Sequence, residues 1–230
     1  MPRWSGEVQV RVAPWQHVLY RFVRVVVGGF CKLFWRVEVQ GLEHIPADGP
    51  FILSPVHRSN VDTPLVALMG RRMVRFMGKD TMWKFRISDW FFTSMGGFPV
   101  HRGTPDRDAL RSCERLLSDG QALVIFPEGT RRHGPVVESI FEGPAYLAAR
   151  LQVPIVPVGI GGSEGAMPKG AKGIRPVKIS IVVGEPIPPP ARTESGRVGR
   201  SGVRALTAQL QERLQELYDE AQADVARRKG

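Results

Sequence analysis

Apolar and polar positions along this chain follow two periods, and the switches between them mark out an α/β protein. Over 15–37 the period is helical: Trp15, Leu19, Phe22, Val26, Phe30, Leu33, Phe34 and Val37 fall in one arc, and Arg21, Arg24, Lys32 and Arg36 in the opposite one. Gly28-Gly29 is expected to bend or split this helix. Short apolar or alternating runs at 36–40, 51–54, 74–78, 97–102, 122–126 and 177–183 read as strands. Helices are expected at 63–69, where Pro64 stands in the first turn, at 106–118, and at 202–228, where Leu206, Leu210, Leu214 and Leu217 form a stripe. A further helix over 137–151 is interrupted by Gly143-Pro144. The run 153–160 is extended and β-branched, but its prolines argue against a regular central strand. These elements make one α/β domain, a mixed central sheet flanked by helices, preceded by an amphipathic helical segment. The expected division is 1–34 for that segment, 35–190 for the main domain, and 191–230 for a linker and a helix packing on it.

Composition changes this picture in one respect. The chain has 230 residues, 43% hydrophobic and 23% charged, ordinary for a globular protein, but its net charge is +10. Such a charge calls for an anionic partner: nucleic acid, an anionic membrane or a phosphate-bearing substrate. No nucleic-acid motif is visible. Cys31 and Cys113 show no framework or C-x-x-C spacing, so neither zinc nor a disulfide scaffold is expected. The most apolar N-terminal run, 25–31, falls far short of the ~20 residues a membrane span needs. Arginines punctuate that region, so a signal peptide is not expected either. Its helix, with bulky aromatics on one side and only basic residues on the other, reads as interfacial: apolar face in lipid, cations at anionic headgroups.

The candidate chemistry begins at the turn between the strand 51–54 and the helix 63–69. His57 and Asp62 bracket it, a base and a carboxylate able to hold its far nitrogen. Ser54 and Ser59 lie near, but neither sits in a G-x-S-x-G elbow, so the hydroxyl to be activated is assigned to the substrate. A second candidate is Arg102, ending a strand between Gly96-Gly97 and Gly103, where a guanidinium fork can take a phosphate. His101, on the other side of that strand, reads as structural. A third is the turn after 122–126, where Glu128, Gly129, Thr130, Arg131 and Arg132 follow a core strand's carboxyl end. The glycine-rich stretch 161–173, with Lys169 and Lys172, lacks the spacing of a nucleotide loop.

Four blocks, His57-Arg-Ser-Asn-Val-Asp62, Gly97-Phe-Pro-Val-His-Arg102, Phe126-Pro-Glu-Gly-Thr-Arg131 and Val153-Pro-Ile-Val-Pro-Val158, stand in the order found in the glycerolipid acyltransferases. Over roughly 35–190 the chain resembles that family, typified by the 1-acyl-sn-glycerol-3-phosphate acyltransferases. It departs in Arg132, where a serine often stands, in Asp80 after Lys79, where glutamate is commoner, and in Phe141-Glu-Gly143, where a lysine is usual. The resemblance implies that 35–190 is the catalytic domain. His57 is then the general base and Asp62 its orienter. Arg102, helped by Lys79 and Arg131, clamps the acceptor's phosphate, and Glu128, Gly129 and Thr130 shape the acceptor site. The implied reaction moves an acyl chain from acyl-CoA or acyl-carrier protein to lysophosphatidic acid, giving phosphatidic acid, with no metal and no bound cofactor. Glycerol-3-phosphate or a lyso-phosphatidylinositol are alternative acceptors, and a non-catalytic basic membrane-binding protein is the alternative of another class. The implied location is the cytoplasmic face of the cell membrane, held peripherally.

Overall fold

Seven short apolar strands line up in one sheet: β1 (Glu38–Gln40), β2 (Ile52–Pro55), β3 (Val74–Lys79), β4 (Gly97–Val100), β5 (Ala122–Val124), β6 (Ile155–Gly161) and β7 (Ser180–Val183). The computed structural model describes residues 12–70, 72–100, 107–168, 170–171, 173–192 and 198–228. The strand order is β1-β7-β6-β2-β5-β3-β4. All neighbours run parallel except β6 and β7, which pair with Val158 opposite Val183 and Ile160 opposite Ile181. The sheet is therefore mixed, as the sequence pattern predicts. Every residue of β2, β4, β5, β6 and β7 is buried, which explains why these strands read as near-continuous apolar runs. Helices α1 (Pro14–Phe34), α2 (Asp62–Met69), α3 (Arg86–Ser94), α4 (Arg107–Ser118), α5 (Gly143–Leu151), α6 (Ser163–Ala166) and α7 (Arg200–Arg227) flank it.

Three expectations are corrected. The proline-bearing run forms β6, a fully buried strand between β7 and β2. Pro157 is tolerated because its carbonyl accepts the Gly184 N–H just past the end of β7, so its nitrogen faces a side where the antiparallel ladder has not yet begun. Gly143-Pro144 does not interrupt a helix but starts one: Pro144 stands in the first turn of α5, and 137–142 is not helical. The N-terminal helix neither splits at Gly28-Gly29 nor reaches Val37, because Trp35 caps it and Arg36 turns at φ 45°. Only part of α1 packs on the domain. Gln16, Tyr20 and Cys31 are buried, while Trp15, Phe22, Val26, Phe30 and Leu33 are exposed. Arg24 turns inward and donates to Gly70 O, and Tyr20 donates to Ala67 O at 2.7 Å, so α1 is tied to the end of α2.

The predicted leucine stripe lies against the sheet: Leu206, Leu210, Leu214 and Leu217 are all buried in α7. Its backbone comes so close that a Cβ on Gly159 would stand 2.2 Å from Leu217 O, so only glycine fits at that point of β6. Parallel strands β2, β3, β5 and β6 send their carboxyl ends to one edge of the sheet, where the turns carrying His57, Lys79 and Glu128 gather.

Candidate active site

The turn leaving β2 is folded around one carboxylate oxygen. Asp62 is fully buried, and its Oδ2 accepts the backbone N–H groups of Arg58 at 2.7 Å and Ser59 at 2.6 Å. The same oxygen accepts His57 Nδ1–H at 3.0 Å. A carboxylate only accepts, so this bond fixes the tautomer and leaves His57 Nε2 as the basic nitrogen. The imidazole lies against the Phe126 ring, centroids 4.1 Å apart, and remains 13% exposed. A base so held can take a proton only from a group that approaches its Nε2 side.

The backbone under His57 is held from the turn after β5. Glu128, fully buried, accepts the His57 N–H on Oε1 at 2.8 Å and pairs with Arg58 Nη1 on Oε2 at 2.5 Å. Arg58 is itself fully buried, donates to Val136 O at 3.2 Å, and lies over the Tyr218 ring of α7 at 4.8 Å. Burial opposes its charge, but the hydrogen bond and charge of Glu128, with Tyr218, outweigh that and raise its pKa. Arg132 N–H donates to His57 O at 2.9 Å, closing the two turns on each other. Glu128 is thus turned inward, both oxygens engaged by its own chain.

His57 opens on a cavity of about 570 Å³. Its walls are mostly apolar: Val23 and Val27 of α1, Ala67 of α2, Phe76 and Met77 of β3, and Phe91, Phe92 and Met95 in and after α3. Lys79 and Arg131 stand in the same lining. Among the described residues Arg131 Nη1 is buried without a hydrogen-bond partner. Gly129 and Thr130 are exposed in the turn beside it, Gly129 at φ +67°. Arg102 and His101 lie outside the described residues, as do Lys169 and Lys172. Among the described residues no three His, Cys, Asp or Glu side chains group as metal ligands would.

Residues 36–161 match the family model for acyltransferases. The chain belongs to the acyltransferase family. Among its relatives are the chloroplastic 1-acyl-sn-glycerol-3-phosphate acyltransferase LPAT1 of Arabidopsis thaliana, 30% identical over 67% of this chain and 44% of that protein, and the 1-acyl-sn-glycerol-3-phosphate acyltransferase of Bacillus subtilis (strain 168), 25% identical over 86% of this chain and 96% of that one. The chain therefore spans less than half the length of the chloroplast relatives it matches. The solved 1-acyl-sn-glycerophosphate (LPA) acyltransferase from Thermotoga maritima shares its fold, with a TM-score of 0.65 at 24% identity over 88% of this chain and 94% of that one.

In this acyltransferase several site residues were not legible in sequence. Arg58 lies inside the His57–Asp62 block, yet nothing local signals a buried guanidinium. Tyr218, 160 positions beyond it by number, lies on a helix that reads only as a leucine stripe. Phe126 reads as the end of a core strand rather than as the platform for His57.

Proposed function

We propose that this acyltransferase transfers a fatty acyl chain from a thioester to the free hydroxyl of lysophosphatidic acid, forming phosphatidic acid. The observation that carries the reading is that His57 and the unsatisfied Arg131 donor line one apolar cavity, so a base for a hydroxyl and a site for a phosphate share one greasy space. The acceptor's phosphate sits at Arg131 and Lys79, with Arg102 the third cation. Its hydroxyl then approaches His57 Nε2. As the hydroxyl oxygen attacks the thioester carbonyl carbon, its proton passes to Nε2, and the Asp62 carboxylate stabilises the imidazolium formed. The tetrahedral intermediate collapses with cleavage of the C–S bond, and the departing thiolate takes the proton back from His57. General-base catalysis of this kind is worth about 10²–10⁴-fold. Glu128 acts here by holding the His57 backbone and Arg58 rather than by touching the acceptor. The donor is acyl-CoA or acyl-carrier protein.

The enzyme works from the membrane surface. Among the described residues no helix is long and apolar enough to cross a membrane. Instead, Trp15, Phe22, Val26 and Leu33 of α1 and Ile87 and Trp90 of α3 are exposed, and Trp15 stacks on Trp90 with centroids 6.1 Å apart, joining the two helices into one apolar face. We place that face in the cytoplasmic leaflet.

The test is transfer of a labelled acyl group from acyl-CoA to a panel of lysophosphatidic acid, glycerol-3-phosphate and lyso-phosphatidylinositol, with wild type and His57→Ala. Wild type is expected to prefer lysophosphatidic acid and His57→Ala to be inactive while still binding vesicles. Equal activity in the variant would sink the mechanism, and preference for another acceptor would sink the assignment of substrate.

A further inference from the structure

Tyr20 and Arg24 border a second cavity, of about 440 Å³, that lies away from the carboxyl ends of the strands. It sits where β3 and β5 begin, between Arg72, the segment Asp119 to Gln121, and His17 and Arg21 of α1. Its chemistry is the reverse of the first. Arg21, Arg24 and Arg72 converge on it, and the single acid in the lining, Asp119, has Oδ2 engaged by the Gln121 amide at 2.9 Å.

These arginines differ from a solvated basic surface in two ways. They line a concavity, and Arg24 and Arg72 are half-buried. Among the described residues none of the three lies within 4.0 Å of a carboxylate, and Arg24 and Arg72 are held only by backbone carbonyls, of Gly70 for one and of Gly49 and Gly120 for the other. Asp48 acts on Arg72 from farther off, and burial still lowers the Arg72 pKa. The Arg72 guanidinium also lies over the Phe51 ring at 5.3 Å, which fixes its plane. A guanidinium carries five N–H donors, so each of the two carbonyl-bound arginines keeps donors for a further acceptor. Half-desolvated cations with no paired acid favour a bound anion.

We propose that this cavity binds the phosphate headgroup of an anionic phospholipid, at a site distinct from the acceptor phosphate beside Arg131. The lipid source rests on the reading that α1 lies in the membrane surface: the exposed Trp15, Val18 and Phe22 interleave along α1 with His17 and Arg21, which sets the cavity at headgroup depth. Because Arg24 and Tyr20 also border the catalytic cavity, a headgroup here would fasten α1 to α2 beside the chamber where transfer takes place.

The test follows the His17 imidazole resonance of the full chain by NMR, assigned with His17→Gln, as a water-soluble short-chain phosphatidate or inorganic phosphate is added. Saturable movement with phosphatidate is expected, with about fivefold weaker binding in Arg21→Gln, an exposed change whose thermal midpoint should match wild type. A resonance that does not move, or equal affinity in Arg21→Gln, overturns the site. Inorganic phosphate binding as tightly as phosphatidate overturns the lipid source. On vesicles, Arg21→Gln should lose the extra binding that phosphatidate adds to phosphatidylcholine and keep the rest. If wild type bound no vesicles while His17 still responded, an anion site would stand and the lipid headgroup, with the membrane reading it rests on, would fall. His57→Ala activity is independent of all these outcomes, so failure here does not touch the proposed reaction.

Discussion

Glu128 and Arg58 form an ion pair that is fully buried on both sides, and it ties the turn after β5 to the turn that carries the base. Removing one partner leaves the other's charge in the interior, at a cost of about 3–5 kcal/mol. Glu128→Ala should therefore lower stability by that order in urea unfolding and abolish transfer, because the His57 N–H loses its acceptor as well. Combined with Arg58→Met, the stability loss should be smaller than for Glu128→Ala alone, while activity stays lost. A double-variant loss equal to the sum of the Glu128→Ala and Arg58→Met losses would show that the pair is not coupled.

Asp62→Asn separates charge from geometry. All three bonds fall on Oδ2, so an amide oxygen in that place can keep them. What is lost is the negative charge that stabilises the imidazolium. The expected result is a fall in kcat of about 10²–10⁴-fold with little change in acceptor KM. A rise in KM with kcat intact would mean that Asp62 serves binding instead.

Gly129 takes φ +67°, and a Cβ there would stand 2.6 Å from the Phe141 ring. Phe141 is exposed and can swing away, whereas the backbone strain stays. Gly129→Ala should cost about 1–2 kcal/mol. Adding Phe141→Ala should not recover it, which thermal unfolding would check. Recovery would assign the cost to the ring.

Cys31 reports whether α1 stays docked. It is 2% exposed, and burial pushes its thiol up to about 11. In a Cys113→Ser background, Cys31 should resist a thiol reagent at neutral pH, both in solution and on vesicles. Fast labelling on vesicles alone would show α1 lifting off the domain at the membrane.

The exposed apolar face can be weakened without touching the core. Serine at Phe22, Val26 and Trp90 together should reduce binding to phosphatidylcholine vesicles at least tenfold, since each such side chain contributes up to about 1.5–3 kcal/mol when fully buried. Undiminished sedimentation would refer the binding to charge alone.

What was legible in the sequence was local. Strands β2 and β5 announce themselves as continuous apolar runs, and His57 and Asp62 as a base and an acid across one turn. Contacts made over long separations were not. Glu128 reads as an exposed turn acid until Arg58 and the His57 N–H are brought to it from 70 and 71 positions away. Arg24 reads as solvent-facing because α1 alone does not show where α2 ends. Pro157 argues against a central strand by a rule that holds for complete ladders, and only the topology reveals that β7 stops beside it.

The Tyr218 ring under Arg58 sets an order of events during synthesis. His57, Asp62 and the turn bearing Glu128 are all encoded before residue 133, yet the Arg58 guanidinium between them packs on Tyr218, 160 positions after it. A nascent chain that has not yet released α7 can pair Arg58 with Glu128 but has no Tyr218 ring to lay over the guanidinium. The surroundings of the His57 turn are therefore complete only once α7 packs on the sheet.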